Sequence, residues 1–180
     1  TGLSVAVAFR VGLFNIGAQG QLMVGALSAA VCGASFALPG LLHVPLCLAA
    51  AALAGGLYAL IAAELKRRRG VHEVISTIML NWIAVALVDN WLVVGPLRGS
   101  AAGDNSMSGT EEVAATAVLP LLLGSGSRLN FGFLLAILLA IALAIWLKRT
   151  RHGYEWRAVG LAPEAARAAG IDSGRRMLEA

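Results

Sequence analysis

The chain has 180 residues, of which 58% are hydrophobic and 13% are charged, and its formal net charge is +4. Soluble domains contain roughly 45–50% apolar and about 25% charged residues, so this composition excludes an ordinary soluble domain. The basic residues lie in clusters beside apolar runs, which indicates membrane orientation and no nucleic-acid partner. The chain begins at Thr1 without an initiator Met, and we expect an internal piece of a longer protein.

The first apolar run, residues 1–14, contains Arg10 and is expected to form a partial span. The polar segment NIGAQGQ, residues 15–21, follows where a hydrophobic helix would otherwise continue. Non-helical backbone at membrane depth is tolerated only where it is buried in protein or lines a cavity, and broken helices mark substrate sites in transporters. We therefore predict a broken helix near residues 15–21, with an ordinary loop between two spans as the alternative.

Four further apolar runs are long enough to cross a membrane. A spanning helix needs about 20 residues, with a working range of about 17–25. The expected spans are residues 22–38, 44–63, 74–94 and 131–147. The predicted fold is therefore all-α, a polytopic transmembrane helix bundle, with residues 1–180 in a single transmembrane domain.

Small residues within these runs predict close helix packing. Gly25, Ala29 and Gly33 recur every four residues in the second run, and Gly55 and Gly56 are adjacent in the third. In lipid, small residues let two helix backbones approach closely. The pattern supports a bundle of several helices and indicates no particular function.

Two basic clusters orient the chain. Residues 64–70 and residues 148–176 together hold eleven of the 14 Lys and Arg residues. Two spans separate the clusters, so both must face the same side, and the positive-inside rule makes that side the cytoplasm. The long segment 98–130, rich in Gly and Ser, is then expected outside.

The sequence contains no catalytic signature of the kinds we searched for: no GxSxG, HExxH, P-loop or GxGxxG. Cys32 and Cys47 lie inside apolar runs and are expected to be small buried hydrophobes rather than a disulfide. His43, His72 and His152 are far apart and do not pair with Cys or Asp at ligand spacing. We expect no catalytic residue, no metal and no cofactor. The lack of paired catalytic groups argues against an intramembrane enzyme.

The polar residues of the run 74–94 are the candidates for function inside the membrane. At about 100° per residue, Thr77 and Asn81 are about 40° apart and share a helix face. Asn81 lies about 10 Å from the inner end of the run, whereas Asp89 approaches the outer boundary. Intramembrane polar residues indicate function by default. Interhelical hydrogen bonding is the alternative for Asn81, and simple solvation is favoured for Asp89.

The basic C-terminal segment contains the signals of a short helix. Pro163 suits the first helical position, Glu164 lies in the first turn, and Gly170 is placed as a terminator. These signals predict a helix over residues 163–169. A helix this short is stable only when it packs on something, either a partner protein or the rest of the same chain.

Three segments resemble a known family. FNIGAQGQLMVGA at 14–26, HEVISTIMLNWIA at 72–84 and HGYEWRAVGLAPEAARAAGI at 152–171 are similar to the signatures of ABC importer permeases for simple sugars and nucleosides, a group related to the branched-chain amino acid permeases. The nucleoside branch matches best. Gln19, His72 and Ala162 depart from the Glu, Asn and Asn usual in that family, and Gln19 puts any role for an anion there in doubt.

The resemblance implies a set of partners and a mechanism. A cytoplasmic ATP-binding subunit, an extracytoplasmic solute-binding protein or lipoprotein, and a second permease subunit would assemble with this chain in the lipid bilayer of the bacterial inner membrane. ATP would be hydrolysed by the separate subunit, and this chain, which is not an enzyme, would move nucleosides or simple sugars by alternating access. An ion-coupled secondary transporter is the alternative, with Asp89 as its weak candidate for ion coupling.

Two sets of site residues follow. The candidate substrate pathway consists of Asn15, Gln19, Gln21, Thr77 and Asn81. The candidate ATPase-coupling residues, implied by the resemblance of the segment 152–171 to the family's ATPase-facing loop, are Arg157, Gly160, Glu164, Ala165, Ala166, Gly170 and Ile171.

The charge pattern generates a testable topology. We expect residues 64–70 and a coupling loop at residues 148–176 in the cytoplasm, and residues 98–130 outside. In a background lacking Cys32 and Cys47, a single Cys at position 106 should react with an impermeant maleimide in intact cells. Efficient labelling only after permeabilisation would overturn this topology.

Overall fold

The computed structural model describes residues 1–99, 109–122 and 129–179. Within these ranges the chain is all-α, and the extended pairing is limited to an isolated bridge between Leu121 and Asn130. Eight α-helices follow one another along the described chain. In order they are α1 Gly2–Arg10, α2 Ala18–Ser35, α3 Gly40–Arg69, α4 Glu73–Leu87, α5 Phe131–Arg149, α6 Arg151–Leu161, α7 Pro163–Ala168 and α8 Ser173–Glu179. A π-helical turn, Val88–Leu92, continues α4, and a 3-10 turn covers Ala115–Ala117.

Three of the described helices are long and apolar enough to cross a membrane: Gly40–Arg69, Glu73–Leu92 and Phe131–Arg149. With 30 residues, α3 is about 45 Å long, which exceeds a hydrocarbon core of about 30 Å. Its basic C-terminal residues therefore extend beyond the apolar stretch. These helices make the chain a multi-pass helical membrane protein, as the composition predicted.

The interruption between α1 and α2 lies at residues 11–17, earlier than the predicted 15–21. α1 ends where Gly12 adopts a left-handed conformation, with φ of 76°. α2 begins at Ala18, so Gln19 and Gln21 are helical rather than part of the break. Of the predicted external segment 98–130, residues 100–108 and 123–128 lie outside the described residues.

The chain divides into two compact units. One comprises residues 16–66 and 70–118, and the other comprises residues 1–15, 67–69 and 119–180. The first contains α2, α4 and most of α3, so we call it the long-helix unit. The second contains α1, α5 and the three short C-terminal helices, so we call it the short-helix unit.

Close backbone contacts hold α2 against α3 in the long-helix unit. A Cβ built on Gly25 would lie 2.9 Å from the carbonyl oxygen of Ala51, and one on Gly55 would lie 3.0 Å from that of Gln21. A Cβ on Gly56 would meet nothing within 4 Å. Gly25 and Gly55 therefore permit close helix approach, as the small-residue pattern predicted, whereas Gly56 faces open space.

The segment 109–118 packs on the ends of α2 and α3 within the same unit. The amide of Ala114 donates to the carbonyl of Gly33 at 3.0 Å. The fully buried His43 shares a 2.8 Å hydrogen bond between its Nδ1 and Thr116 Oγ1. Cys32 and Cys47 are buried free thiols.

The short-helix unit is built around a core of Val11, Trp156, Val159 and Ala166. Thr150 caps α6, since its Oγ1 accepts from the amide of Gly153 at 3.1 Å. A Cβ on Gly153 would lie 2.2 Å from the carbonyl oxygen of Leu147, so only glycine allows α6 to begin this close to the end of α5.

Gly25 of α2 and Gly56 of α3 provide a matched test of the α2–α3 contact. Gly25→Ala should lower the melting temperature of the detergent-solubilised protein, because a new methyl group would meet a backbone carbonyl at an overpacking cost of about 1–3 kcal/mol. Gly56→Ala is the control in an open position of α3, where alanine should be neutral or stabilise the helix by roughly 0.5–1 kcal/mol. Equal melting temperatures for both variants would contradict the close contact at Gly25.

Candidate functional site

Asn81 on α4 binds the start of α2 with both ends of its amide. Its Oδ1 accepts from the backbone amide of Gly20 at 2.8 Å, and its Nδ2 donates to the carbonyl of Ile16 at 2.9 Å. Gly20 is the third residue of α2, where a backbone N–H has no partner within its own helix. Gly17, the residue before α2, offers no side-chain cap. Asn81 therefore caps α2 from a neighbouring helix.

Gly20 makes this contact possible. A Cβ at Gly20 would lie 2.9 Å from Asn81 Oδ1 and 3.2 Å from the Cβ of Ala84. Any larger residue would push α2 away from α4 and stretch the hydrogen bond to Asn81. Gly17, Ala18 and Gly20 are all buried, so the small residues of the NIGAQGQ segment form its contact face.

The other pathway candidates occupy different environments. Thr77 is buried one turn before Asn81, and its Oγ1 donates to the carbonyl of Glu73 at 2.8 Å. Gln19 is exposed and Gln21 is half-buried on the first turns of α2. Asn15 belongs to the short-helix unit, where its Nδ2 donates to Ser4 Oγ at 3.3 Å. The described structure thus brings Asn81 to the NIGAQGQ backbone and leaves the Gln19 amide exposed.

An ion pair that the sequence analysis missed closes the turn between α3 and α4. Lys66 Nζ lies 2.8 Å from Glu73 Oε2, and the Glu73 side chain is 14% exposed. Gly70 ends α3 in a left-handed conformation, with φ of 63°. A lone acid seven residues after Lys66, just beyond a basic run, is a signal that could have pointed to this pair.

The short C-terminal helices form a second region of interest. Ala162 and Pro163 begin α7, Glu164 lies in its first turn, and the left-handed Gly170 follows its end with φ of 82°. The predicted helix over 163–169 is therefore confirmed, one residue shorter than expected. The segment 148–176, expected as a loop, contains two further helical elements, α6 and the start of α8.

The candidate coupling residues divide between the core and the surface. Ala166 is only 4% exposed and packs in the core with Val159 and Trp156, while Ile171 packs on the same core. Ala165 and Ala169 are exposed, and so is Glu164. Arg157 and Gly160 are half-buried on α6. Ala165, Ala166 and Ala169 therefore do not share one face of α7.

An exposed apolar residue that the sequence analysis did not single out lies at the junction of α6 and α7. Leu161 is 87% exposed, and the exposed Ala162 and Pro163 follow it. Arg167 lies one turn further on, pairs with Glu164 at 3.2 Å, and donates from Nε to Ser173 Oγ at 2.7 Å. Leu161 together with the exposed residues Pro163, Glu164, Ala165 and Ala169 is called the α7 surface below.

Arg176 fastens α8 onto α6. It pairs with Glu155 on α6 and with Glu179 on its own helix. The hydrogen bond from Arg176 lowers the pKa of Glu179 and, in return, raises the pKa of Arg176. On the other side of α6, the indole of Trp146 meets that of Trp156 edge to face, with centroids 4.9 Å apart. Among the described residues no group of three potential metal ligands comes together.

The three apolar helices, the break between α1 and α2 and the short helices after α5 define a multi-pass helical membrane protein. A family model described as "Branched-chain amino acid transport system / permease component" matches residues 1–178. The chain belongs to this family of permease components.

Curated relatives carry more specific names. The chain is 38% identical over 180 residues to the guanosine ABC transporter permease protein NupP of Bacillus subtilis, and 35% identical over 183 residues to the nucleoside ABC transporter permease protein NupB of Lactococcus lactis. It is 34% identical over 179 residues to the glucose ABC transporter permease protein TsgB13 of Haloferax volcanii. The three alignments cover 99%, 99% and 94% of this chain, and 50%, 50% and 46% of the relatives.

The chain thus spans about half the length of the curated relatives it matches. No solved structure matches it.

Asn81→Leu tests the cap that Asn81 provides. The variant removes both hydrogen bonds and leaves the part-buried amide of Gly20 without that partner, at a cost of about 1–3 kcal/mol. We expect assembled protein whose solute uptake falls roughly tenfold, since that cost is concentrated at the start of α2. Uptake and melting temperature of purified protein are the measurements.

Asn90→Leu is the matched control, because Asn90 is an exposed amide on the continuation of the same helix. It should leave uptake near normal. Normal uptake by Asn81→Leu would show that the α2 N-terminus keeps its position without this side chain.

Proposed function

We propose that the chain forms part of the permease subunit of a bacterial ABC importer that carries nucleosides or simple sugars across the inner membrane. The observation that carries this proposal is the near-complete alignment with permeases named for guanosine and nucleosides. The relative named for glucose keeps simple sugars within the solute class. The family description alone would favour amino acids, but the nucleoside and sugar relatives align over nearly the whole chain.

The chemistry of the pathway candidates supports a neutral solute. Asn15, Gln19, Gln21 and Asn81 carry neutral amides, and Thr77 carries a hydroxyl. An amide both donates and accepts, which suits ribose hydroxyls and the edges of a base. In our proposal the exposed Gln19 meets the solute directly, and Asn81 acts by holding the backbone that presents it.

The partners we propose are a cytoplasmic ATP-binding subunit, an extracytoplasmic solute-binding protein or lipoprotein, and a second permease subunit. The α7 surface supports the first of these. Leu161 is an 87% exposed apolar side chain directly before α7, and such a residue is stabilised when a partner covers it. The core contacts of Ala166 and Ile171 keep α7 in place without a partner.

Uptake of radiolabelled guanosine into cells tests the function. It should require the ATP-binding subunit and the solute-binding protein, and it should persist when the ion gradients are collapsed while ATP is maintained. Uptake that follows an ion gradient and survives loss of the ATP-binding subunit would instead support a secondary transporter. Competition by unlabelled nucleosides and simple sugars would then rank the solutes.

Leu161→Asp tests the docking role of the α7 surface. Covering a leucine side chain is worth about 1.5–3 kcal/mol, so the charged variant should lose at least tenfold in affinity for the ATP-binding subunit. Co-purification and uptake are the measurements. Glu164→Ala is the control at the rim, where an exposed ion pair contributes about 0–1 kcal/mol and the loss should be small.

A charge at Ala166 would be unsuitable for this test of docking, because Ala166 is in the core and Ala166→Glu would disrupt the unit itself. Intact co-purification and normal uptake by Leu161→Asp would place the docking surface elsewhere on the permease.

A further inference from the structure

Gly160 on α6 touches the backbone of the chain just after α1. A Cβ built on Gly160 would lie 2.3 Å from the carbonyl oxygen of Arg10 and 3.1 Å from the amide nitrogen of Gly12. In the other direction, a Cβ on Gly12 would lie 3.4 Å from both the Cα and the carbonyl oxygen of Gly160. The two segments therefore meet backbone to backbone, with no side chain between them.

Buried side chains reinforce this contact on both sides. Val11 and Val159, the neighbours of the two glycines, are both 0% exposed. Ala166 of α7 joins the same core, together with Trp156. The end of α1, α6 and α7 are thus packed as one body within the short-helix unit.

The same stretch of chain leads into the break before α2. Gly12 adopts its left-handed conformation, and the amide of Leu13 donates back to the carbonyl of Ala8 at 2.9 Å. Three residues on comes Asn15, a pathway candidate, and then Ile16, whose carbonyl accepts from Asn81. The contact at Gly160 therefore lies directly before the segment that carries the candidate pathway residues.

We propose that Gly160 is a positioning residue that transmits movement of α7 to residues 11–15 through the end of α1. A contact between two backbones cannot be absorbed by a change of rotamer, whereas a contact between long side chains can. A displacement of α7 by the ATP-binding subunit then moves α6, the end of α1 and the chain that follows it. This inference rests on the proposed function and adds the route by which ATP-driven movement reaches the pathway.

Gly160→Ala in the complete transporter is the direct test, with Gly174→Ala as the matched control. The added methyl at Gly174 would meet only the flexible carboxylate of Asp172, at 3.4 Å, whereas at Gly160 it would meet backbone. We expect Gly160→Ala to retain the ATP-binding subunit, because the α7 surface is unchanged, and to lose at least fivefold in solute moved per ATP hydrolysed. Gly174→Ala should keep the normal ratio.

A labelling experiment reports on the route itself. In this experiment Cys32 and Cys47 are replaced and Asn15→Cys is introduced. When Gly160 is intact, the rate of maleimide labelling at position 15 should differ severalfold between the nucleotide-free and the ATP-trapped transporter. The difference should disappear in Gly160→Ala. A merely structural role for Gly160 would lower protein yield but leave the ATP-dependent change intact in the protein that assembles.

Val159→Ala is the second test variant if Gly160→Ala fails to assemble. It loosens the same contact by removing two methyl groups, and it introduces no new atom that could clash. Val159→Ala should lower the amount of solute moved per ATP hydrolysed, and it should also reduce the ATP-dependent change in labelling. An unchanged ratio and an unchanged labelling difference in the assembled variant would overturn the inference. Absence of ATP-dependent uptake by the wild-type complex would instead refute the proposed function.

Discussion

The N-terminus of α2 has no cap of its own, and the long-helix unit depends on how this deficit is met. The first four N–H groups of a helix lack partners within it, and in a lipid environment water cannot supply them. Gly17 has no side chain that could cap α2. The Oδ1 of Asn81 instead accepts a hydrogen bond from the amide of Gly20, and its Nδ2 donates to the carbonyl of Ile16. Without this one side chain, the amide of Gly20 would lose its side-chain acceptor.

The Asn81 cap requires α2 and α4 to lie close together, and glycine residues allow this close approach. Gly20 lets α4 reach the backbone of α2, while Gly25 and Gly55 bring α2 and α3 together. Hydrophobic burial offers little advantage between helices in lipid, so close van der Waals packing and hydrogen bonds have to hold them. The hydroxyl of Tyr58 on α3, which donates to the carbonyl of Leu80 on α4 at 2.7 Å, adds one such bond.

The short-helix unit follows a different rule. α6, α7 and α8 have 11, 6 and 7 residues, lengths at which an isolated helix is marginal or unstable in water. A core of four buried residues and the ion pairs of Arg176 hold them. Because α7 gets its stability from this core, the exposed Leu161 at the end of α6 and the outer residues of α7 take no part in that core. The same core joins α7 to the residue that follows α1, Val11.

The sequence by itself determined the class and much of the local structure. Apolar runs of spanning length predicted α3, α4 with its π-helical continuation, and α5, because lipid selects for such runs directly. Pro163 and Gly170 predicted the limits of α7, since their effects are confined to the residues beside them. The order of the three segments that resemble permeases led to the same family as the whole-chain match.

Only the tertiary structure decided which way these residues face and what they contact. The pattern of α7 did not distinguish the inward Ala166 from the outward Ala165, because α7 has alanine on several sides. The partners of Asn81, the contact of Gly12 with Gly160 and the pairing of Arg176 with Glu155 join residues far apart in the chain. Local propensity carries no information about such pairs, since each depends on where a distant segment packs and on whether a glycine leaves room for it.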